Sequence, residues 1–232
     1  MYMEHFGVRL IKKNYSFYLK RDEFALINTK PSLPVFESLI QVNAYTDDKH
    51  TEYTKEWCEQ YRELCLQNFD LNMKYFNQLN YSDFDNAVAT FLKNNSEFRK
   101  VDNLWTVDGV CGYYIMVLDK YKQAYIGMSK NIKTRIQTHW TSTKAFDRTL
   151  FPMYAVNTSA FSIDFFRALD TTRIYVLEMD LPNNDLFRDL SFSDIEEELI
   201  EDFPKQFLTN RIGGGLSTPL KAVATMNERN LT

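Results

Sequence analysis

Residues 112–139 constrain the fold of this chain more than any other stretch. The first seven are rich in aromatic and β-branched side chains, which suit a pleated strand, and residues 122–127 repeat that composition after a short polar break. This pattern is typical of a β-hairpin. With its tip at residues 120–122, Tyr114 and Tyr125 are expected to lie roughly opposite each other. Two phenols would then share one neighbourhood, either as plain aromatic packing or for chemistry.

A helix is expected directly after the hairpin. Gly127 closes the second strand, and Ser129 can cap the helix that follows. Apolar residues then recur at steps of four, as on the buried face of an α-helix: Ile132, Ile136 and Trp140. Arg135 and His139 lie beside that stripe. They are also four residues apart, so their side chains point the same way from the helix.

The spacing of these residues resembles that of a known family. Tyr125 follows Tyr114 by eleven residues, and Arg135 and His139 follow Tyr125 by ten and fourteen. Together with the triplets Gly112-Tyr113-Tyr114 and Tyr125-Ile126-Gly127, this register resembles a GIY-YIG nuclease domain. The offsets are similar to those of phage intron-homing endonucleases, and a similar core occurs in the incision nuclease of bacterial nucleotide-excision repair and in some restriction enzymes. Met128 stands where the repair nucleases carry a lysine, which favours the homing-like group.

The resemblance implies an α+β (mixed α/β) fold for residues 106–216, with a small three-stranded, mostly antiparallel sheet flanked by helices. Residues 172–179 have the strongest strand composition of the chain and would supply the third strand. Residues 159–169 carry apolar side chains that predict a helix before it. Residues 217–232 would form a C-terminal tail.

The part of the chain before the nuclease-like segment differs from it in glycine content. Gly7 is the single glycine before residue 109, and the other six follow. Residues 54–79 have the apolar spacing of a long amphipathic helix, and residues 82–92 predict a second helix with a cap at Ser82 or Asp83. We therefore expect residues 1–105 to form a mainly helical N-terminal domain for recognition or oligomerisation.

Charge is unevenly distributed along the chain. The net charge of −4 by itself argues against a nucleic-acid partner, but residues 119–150 contain seven Lys or Arg and two Asp. A basic surface on this segment favours phosphate binding, because released counterions drive the association. We therefore expect a nucleic acid as partner, in the first place double-stranded DNA. The predicted phosphate contacts are Lys120, Lys122, Lys130 and Lys133.

A carboxylate that binds a divalent metal is expected in residues 180–202, which hold nine Asp or Glu and one Arg. In the resembling family, a helix at this place presents one glutamate to the metal, with apolar residues three and four positions later. Glu196 fits that register through Leu199 and Ile200. It is therefore the predicted metal ligand.

Three further sequence features concern Glu196 as the metal ligand and the residues around it. The sequence Ser193 to Glu196 has the form of a capping box, which would use the Glu196 carboxylate at the start of a helix. Helical phase leaves Glu197 and Glu198 as alternative ligands. Asn210 matches a polar residue that the family carries near the end of its core, where it would hold the site by hydrogen bonds.

The resemblance implies a metal-dependent endonuclease that hydrolyses phosphodiester bonds. Tyr114 or Tyr125 would activate the attacking water, with His139 as an alternative base or a relay. Arg135 would counter the charge of the transition state, and Mg²⁺ (or Mn²⁺) on Glu196 would act on the phosphate and the leaving oxygen. Because a phenol has a pKa of roughly 10, the tyrosine is expected near Arg135, a lysine or the metal, which favour phenolate.

Two readings from other classes compete with an enzyme. One is a nucleic-acid-binding module that keeps the fold without turnover, and the other is an interaction protein whose aromatic N-terminal half is the active surface. The three cysteines and three histidines form no paired motif, which argues against a zinc site built from them. No apolar run suits a signal peptide or a membrane span, so we expect a cytoplasmic protein with reduced thiols.

Overall fold

The structure is a computed structural model that describes residues 2–11, 16–25, 44–46, 52–142, 161–179 and 190–210, with the side chains of 44–46, 52–55 and 190–192 left aside. Over these residues the chain has five α-helices and small antiparallel sheets. This confirms the predicted mixed α+β class. The strands are β1 (Tyr2–His5), β2 (Val8–Ile11), β3 (Ala44–Thr46), β4 (Glu52–Thr54), β5 (Arg99–Lys100), β6 (Gly112–Leu118), β7 (Gln123–Ser129) and β8 (Arg173–Glu178). The helices are α1 (Arg21–Phe24), α2 (Lys55–Gln78), α3 (Tyr81–Asn94), α4 (Ile132–Thr141) and α5 (Leu190–Glu201).

The main sheet of the described residues has the strand order β5-β8-β6-β7, with every neighbouring pair antiparallel. The predicted third strand is confirmed as β8. The sheet has four strands, not the three we predicted, because β5 pairs with β8 through Arg99 and Val176. A strand of two residues is too short to leave an alternating pattern in the sequence.

The β6–β7 hairpin is present, but its register differs from the expected one by two residues. Tyr114 lies opposite Gly127, and Tyr125 lies opposite Met116, so the two tyrosines are diagonal neighbours. The cause is the turn, which is a 3₁₀ turn over Asp119–Tyr121 closed by Lys122 in the left-handed region at φ +49°. The two rings still come together, with 6.1 Å between their centroids.

The side chains of β6 alternate between two hydrophobic clusters, one on each face of the sheet. The first cluster receives Tyr114, Met116 and Leu118, and it includes buried residues of α2 and α4. The second receives Tyr113, Ile115 and Val117, and it includes buried residues of α3 and α5. The strand is buried along its whole length. Helices therefore cover both faces of the sheet.

The two long N-terminal helices are confirmed, with small differences. Helix α2 buries most of its predicted stripe, although Leu64 is exposed. Helix α3 is capped by Asn80, and not by Ser82 or Asp83 as we expected. The Asn80 side chain accepts hydrogen bonds from the amides of Ser82 at 2.7 Å and Asp83 at 3.2 Å, so these two residues occupy the first turn.

Two segments have a different structure from the predicted one. The region before residue 105 also contains strands, in the hairpins β1–β2 and β3–β4. Residues 161–170 form two short 3₁₀ turns where we expected a helix. Phe161, Ile163 and Phe165 are all buried, and this spacing of two does not fit one face of an α-helix.

The parts of the chain before and after residue 105 pack together in the described structure. Both hydrophobic clusters contain buried residues from both parts, such as Phe69 with Tyr114 in the first and Phe84 with Ile115 in the second. The division at residue 105 remains a prediction, and the tail at residues 217–232 lies outside the described residues. No described helix is long and apolar enough to cross a membrane.

Candidate active site

A cavity of about 240 Å³ lies beside β7, the edge strand of the sheet, between α4 and α5. Five of the predicted site residues line it, together with an aspartate that the sequence did not single out. These are Tyr125, Arg135, His139, Glu196, Asn210 and Asp164. The remaining predicted catalytic residue, Tyr114, is fully buried and meets this group through its hydroxyl. The hairpin, the helix after it and the later acidic helix thus converge.

A chain of hydrogen bonds runs through the imidazole of His139. The Tyr114 hydroxyl lies 2.8 Å from Nε2, and a carboxylate oxygen of Asp164 lies 2.7 Å from Nδ1. Because the Asp164 carboxylate can only accept, Nδ1 carries a proton, and in the neutral imidazole Nε2 accepts from Tyr114. The side chain of His139 is 2% exposed. Little water therefore competes with these two bonds.

Asp164 was missed by the sequence reasoning. It lies in the 3₁₀ turn Ile163–Phe165, 25 residues after His139, and no motif or spacing connects the two. The apolar side chains of this segment predict a helix. Nothing in the spacing of such a helix indicates that Asp164 would face α4. A buried histidine needs partners for both ring nitrogens, but the sequence does not show which residue provides the second one.

Gly127 makes room for the two tyrosines. A Cβ at this position would lie 2.7 Å from the hydroxyl and Cζ of Tyr114, and also 2.7 Å from Cε1 of Tyr125. The Tyr125 ring lies 5.1 Å from the imidazole of His139, centroid to centroid. The Tyr125 ring also lies 6.1 Å from that of Tyr114, centroid to centroid. Tyr125 therefore connects the cavity with the buried phenol.

Arg135 brings a permanent positive charge to the cavity. It lies on α4 one turn before His139, is exposed, and is close enough to Tyr114 for the two groups to affect each other's pKa. Burial lowers the pKa of Arg135, but the neighbouring Tyr114, Tyr125 and Asp164 outweigh it, so the net shift is upward. The guanidinium stays charged at any working pH.

Glu196 lines the cavity from α5, and its alternative use in a helix cap does not occur. The helix begins at Leu190, so Ser193 lies inside it and is not its N-cap. The Met128 amide on β7 is near enough to the Glu196 carboxylate to lower its pKa. Glu197 and Glu198 are exposed and do not line the cavity. Of the three candidates, Glu196 is the one that lines the cavity, and its role as a metal ligand stays a prediction.

Asn210 holds the outer edge of β7. Its Oδ1 accepts from the Ile126 amide at 3.0 Å, and its Nδ2 donates to the Ile126 carbonyl at 2.6 Å. Two residues further along the strand, the Met128 amide lies near the Glu196 carboxylate and lowers its pKa. An edge strand leaves alternate backbone groups unpaired, and here those of Ile126 hold the Asn210 side chain. Asn210 was predicted to hold the site by hydrogen bonds, and its two bonds to Ile126 have the geometry for that role.

Helix α4 is capped by Asn131, and not by Ser129 as we expected. The Asn131 side chain accepts from the Thr134 amide at 3.1 Å, whereas Ser129 hydrogen-bonds the backbone of Asn131 itself. The predicted apolar stripe is confirmed, since Ile132, Ile136 and Trp140 are all buried. Packing of this stripe leaves Arg135 and His139 on the side of the cavity.

The four predicted phosphate contacts do not line the cavity. Lys133 is buried, pairs with Asp108 at 2.6 Å and lies over the Trp105 ring. The Lys122 amine donates to the Phe76 carbonyl at 3.0 Å. Lys120 and Lys130 are exposed. Only these last two have the exposure that a phosphate contact needs.

Burial raises the pKa of both tyrosines, which differs from our expectation of a phenolate. The pKa of Tyr114 is raised well above its ordinary value, because burial and the nearby Tyr125 outweigh the effect of Arg135. Burial and Glu196 likewise raise the pKa of Tyr125. Both phenols are therefore protonated at neutral pH. They can pass a proton on, but they do not begin as bases.

The carboxylate of Glu196 fits a divalent cation that is completed by water and substrate. Burial raises the pKa of Glu196, because the Met128 amide and Arg135 do not fully compensate for lost hydration. The described residues contain no group of three acidic, His or Cys side chains that could hold a metal by themselves. Mg²⁺ needs no such cage, since it is commonly held by one or two carboxylates, waters and a substrate phosphate.

A scan against protein-family models, a search of curated proteins and a search of solved structures each found no match to the chain.

Proposed function

We propose that the chain is a metal-dependent endonuclease of the GIY-YIG type that hydrolyses phosphodiester bonds in double-stranded DNA. The observation that carries this proposal is the convergence at one hydroxyl. The Tyr114 hydroxyl donates to the imidazole of His139 at 2.8 Å, and its phenol interacts with the charge of Arg135, beside a cavity that Glu196 also lines. A phenol, a guanidinium, an imidazole and a carboxylate around one opening suit phosphodiester hydrolysis.

Arg135 is the group that stabilises charge. The pentacoordinate transition state carries more negative charge on its oxygens than the bound phosphate does. A guanidinium that lines the cavity beside Tyr114 can present its N–H groups to two of those oxygens. Because it is already oriented, little reorganisation is needed when the charge develops.

The tyrosines and His139 form the path for the proton of the attacking water. Tyr125 lines the cavity and its ring contacts that of Tyr114, whose hydroxyl points at the imidazole. Because the phenols are protonated at the start, each must release a proton as it receives one. His139 is then the base that finally holds the proton. This assigns Tyr114 and Tyr125 as a relay and His139 as the acceptor.

Glu196 would hold the divalent cation, Mg²⁺ or Mn²⁺. When bound, such a cation polarises the phosphate and stabilises the leaving oxygen. The carboxylate lines the cavity near the Met128 amide, and its oxygens have lone pairs for a cation. Lys120 and Lys130 are the exposed lysines that would contact flanking phosphates.

We also propose roles for the two parts of the chain. Residues 106–216 would be the nuclease domain, and the region before it would serve recognition or oligomerisation in a cytoplasmic protein. The basic composition of residues 119–150 supports a nucleic-acid partner.

A cleavage assay tests the proposal. The parent chain is incubated with Mg²⁺ or Mn²⁺ and with supercoiled plasmid, linear duplex, branched DNA or RNA. We expect at least one DNA to be cut, and we expect Tyr114→Phe, Arg135→Ala and Glu196→Gln each to lower the rate at least about 100-fold. Omitting the divalent cation has the same effect.

Matched variants separate a loss of chemistry from a loss of structure. Glu197→Gln and Glu198→Gln remove neighbouring exposed carboxylates of the same helix, and both are expected to keep the parental rate. Tyr121→Phe removes another buried hydroxyl, which bonds Asp170 outside the cavity. Binding of DNA without cleavage would favour the non-catalytic module, and neither binding nor cleavage would favour the interaction protein.

A further inference from the structure

The carboxylate of Asp164 is positioned to control the imidazole of His139. It contacts Nδ1 at 2.7 Å, on the opposite side of the ring from the Tyr114 hydroxyl at 2.8 Å. Its side chain is 19% exposed and that of His139 is 2% exposed. The bond is therefore sheltered from water, where a charge-assisted hydrogen bond has its greatest effect on orientation.

The turn that carries Asp164 is anchored in the core. Phe161, Ile163 and Phe165 are buried around it, and the Phe161 and Phe165 rings both pack on Phe24 with centroid distances of 4.7 Å. The Phe165 and Phe166 amides close the turn through bonds to Ser162 and Ile163. A group held in this way keeps one orientation without help from a substrate.

We propose that Asp164 is a positioning residue that fixes His139 in the tautomer with the proton on Nδ1, so that Nε2 accepts the Tyr114 proton. The proposal rests on the proposed function for its catalytic consequence. Asp164 touches neither the water nor the phosphate in this role. It acts through the imidazole, and it stabilises the imidazolium that forms when the proton arrives.

The proton balance of the step is complete. The attacking water gives a proton to a tyrosine hydroxyl, and Tyr114 gives its own proton to Nε2 of His139. The hydroxide oxygen bonds to phosphorus as the bond from phosphorus to the leaving oxygen breaks. His139 is then an imidazolium paired with the Asp164 carboxylate, and the proton later leaves by the reverse path or to the leaving oxygen.

Replacing the carboxylate by an amide tests this role with almost no change of shape. In Asp164→Asn, the amide NH₂ can donate to Nδ1, which moves the ring proton to Nε2. That nitrogen then has no lone pair for the Tyr114 proton. A wrong histidine tautomer of this kind costs up to about 10⁴-fold in another hydrolase relay, so we expect kcat to fall at least about 100-fold with KM little changed.

The experiment combines two measurements on the full chain. Long-range ¹H–¹⁵N NMR reads the tautomer of each histidine, with His139 assigned by comparison with His139→Gln, and cleavage kinetics give kcat and KM. We expect the Nδ1–H tautomer in the parent and the Nε2–H tautomer in Asp164→Asn. Asp164→Glu, which keeps the carboxylate, is expected to restore the Nδ1–H signal. Asp108→Asn, which removes a paired aspartate near the start of α4, is the matched control.

The outcomes distinguish this inference from the proposed function. An Nε2–H tautomer in the parent overturns the inference, whatever the variants do. Full kcat in Asp164→Asn, with cleavage by the parent, also overturns it and leaves the nuclease proposal intact. If the parent cuts no nucleic acid, the proposed function fails, and the tautomer measurement alone decides whether Asp164 sets the imidazole.

Discussion

Gly127 shows at the residue scale why the site needs a residue without a side chain. We expect Gly127→Ala to displace Tyr114 or Tyr125, because the added Cβ would lie 2.7 Å from atoms of both rings. Overpacking of this kind costs about 1–3 kcal/mol of stability. It would also break the contact between the Tyr114 hydroxyl and His139. Urea unfolding and cleavage rates of the variant check the two effects separately.

Gly109→Ala is the control for this prediction. The backbone at Gly109 also favours glycine, because its φ is +75°, but no atom lies within 4 Å of an added Cβ. It should lose stability through backbone strain, about 1–2 kcal/mol, and keep its activity. If Gly127→Ala retains the parental cleavage rate, the close packing of the tyrosines has no role in the site.

Most residues that line the cavity could be predicted from the sequence. The protonation of the two tyrosines and the contact of His139 with Asp164 could not. Tyr125, Arg135, His139 and Glu196 line one cavity because local spacing on a strand and two helices sets their direction. The protonation of the phenols depends on burial, which requires the packed structure. Asp164 could not be found because its relation to His139 is purely spatial.

Elements differ in how well local patterns predict them. Helices α2 and α4 were predicted because their apolar stripes are long and periodic. The predicted register of the β6–β7 hairpin was wrong by two residues, because the register depends on the conformation of the turn. The left-handed backbone of Lys122 in that turn has no sequence signature. The two turns within residues 161–170 differ from the predicted helix, because aromatic residues close in sequence suit either structure.

Asp170 joins three elements, and its burial predicts a pH dependence of stability. Its carboxylate accepts from the Leu19 amide at 2.7 Å, from the Arg167 amide at 2.8 Å and from the Tyr121 hydroxyl at 2.9 Å. Burial outweighs these bonds and raises the pKa of Asp170 above its ordinary value. The folded state therefore binds this proton more tightly than the unfolded state does.

The sign of the effect follows from that difference. The stabilising contribution of the proton is complete below the unfolded pKa of about 3.9, and it is lost as the pH rises through the higher folded pKa. In Asp170→Asn the group stays neutral, so the parent should lose stability relative to this variant as the pH rises from about 3 to 7. Urea unfolding of both proteins across that range measures the difference. A parent that gains relative to the variant would show that the three hydrogen bonds outweigh burial.

At the scale of the whole molecule, the described halves of the chain share their cores. The first cluster covers the Tyr114 face of the sheet with buried side chains from before residue 105, among them Phe24, Tyr61, Phe69 and Phe76. Strand β5 extends the sheet from the same part of the chain. Glycine content suggested a boundary here, but composition reports local backbone needs and not which surfaces pack together.

This packing predicts that residues 106–216 do not fold alone as the intact chain does. Burying one large apolar side chain contributes about 1.5–3 kcal/mol, so losing the four aromatic rings just named removes an amount comparable to the whole stability of a domain, about 5–15 kcal/mol. We expect the fragment to lack a cooperative thermal transition by circular dichroism, and residues 80–216, which keep α3 and β5, to retain more structure. A cooperative transition of the shorter fragment at the temperature of the intact chain would instead support an independent domain beginning at residue 106.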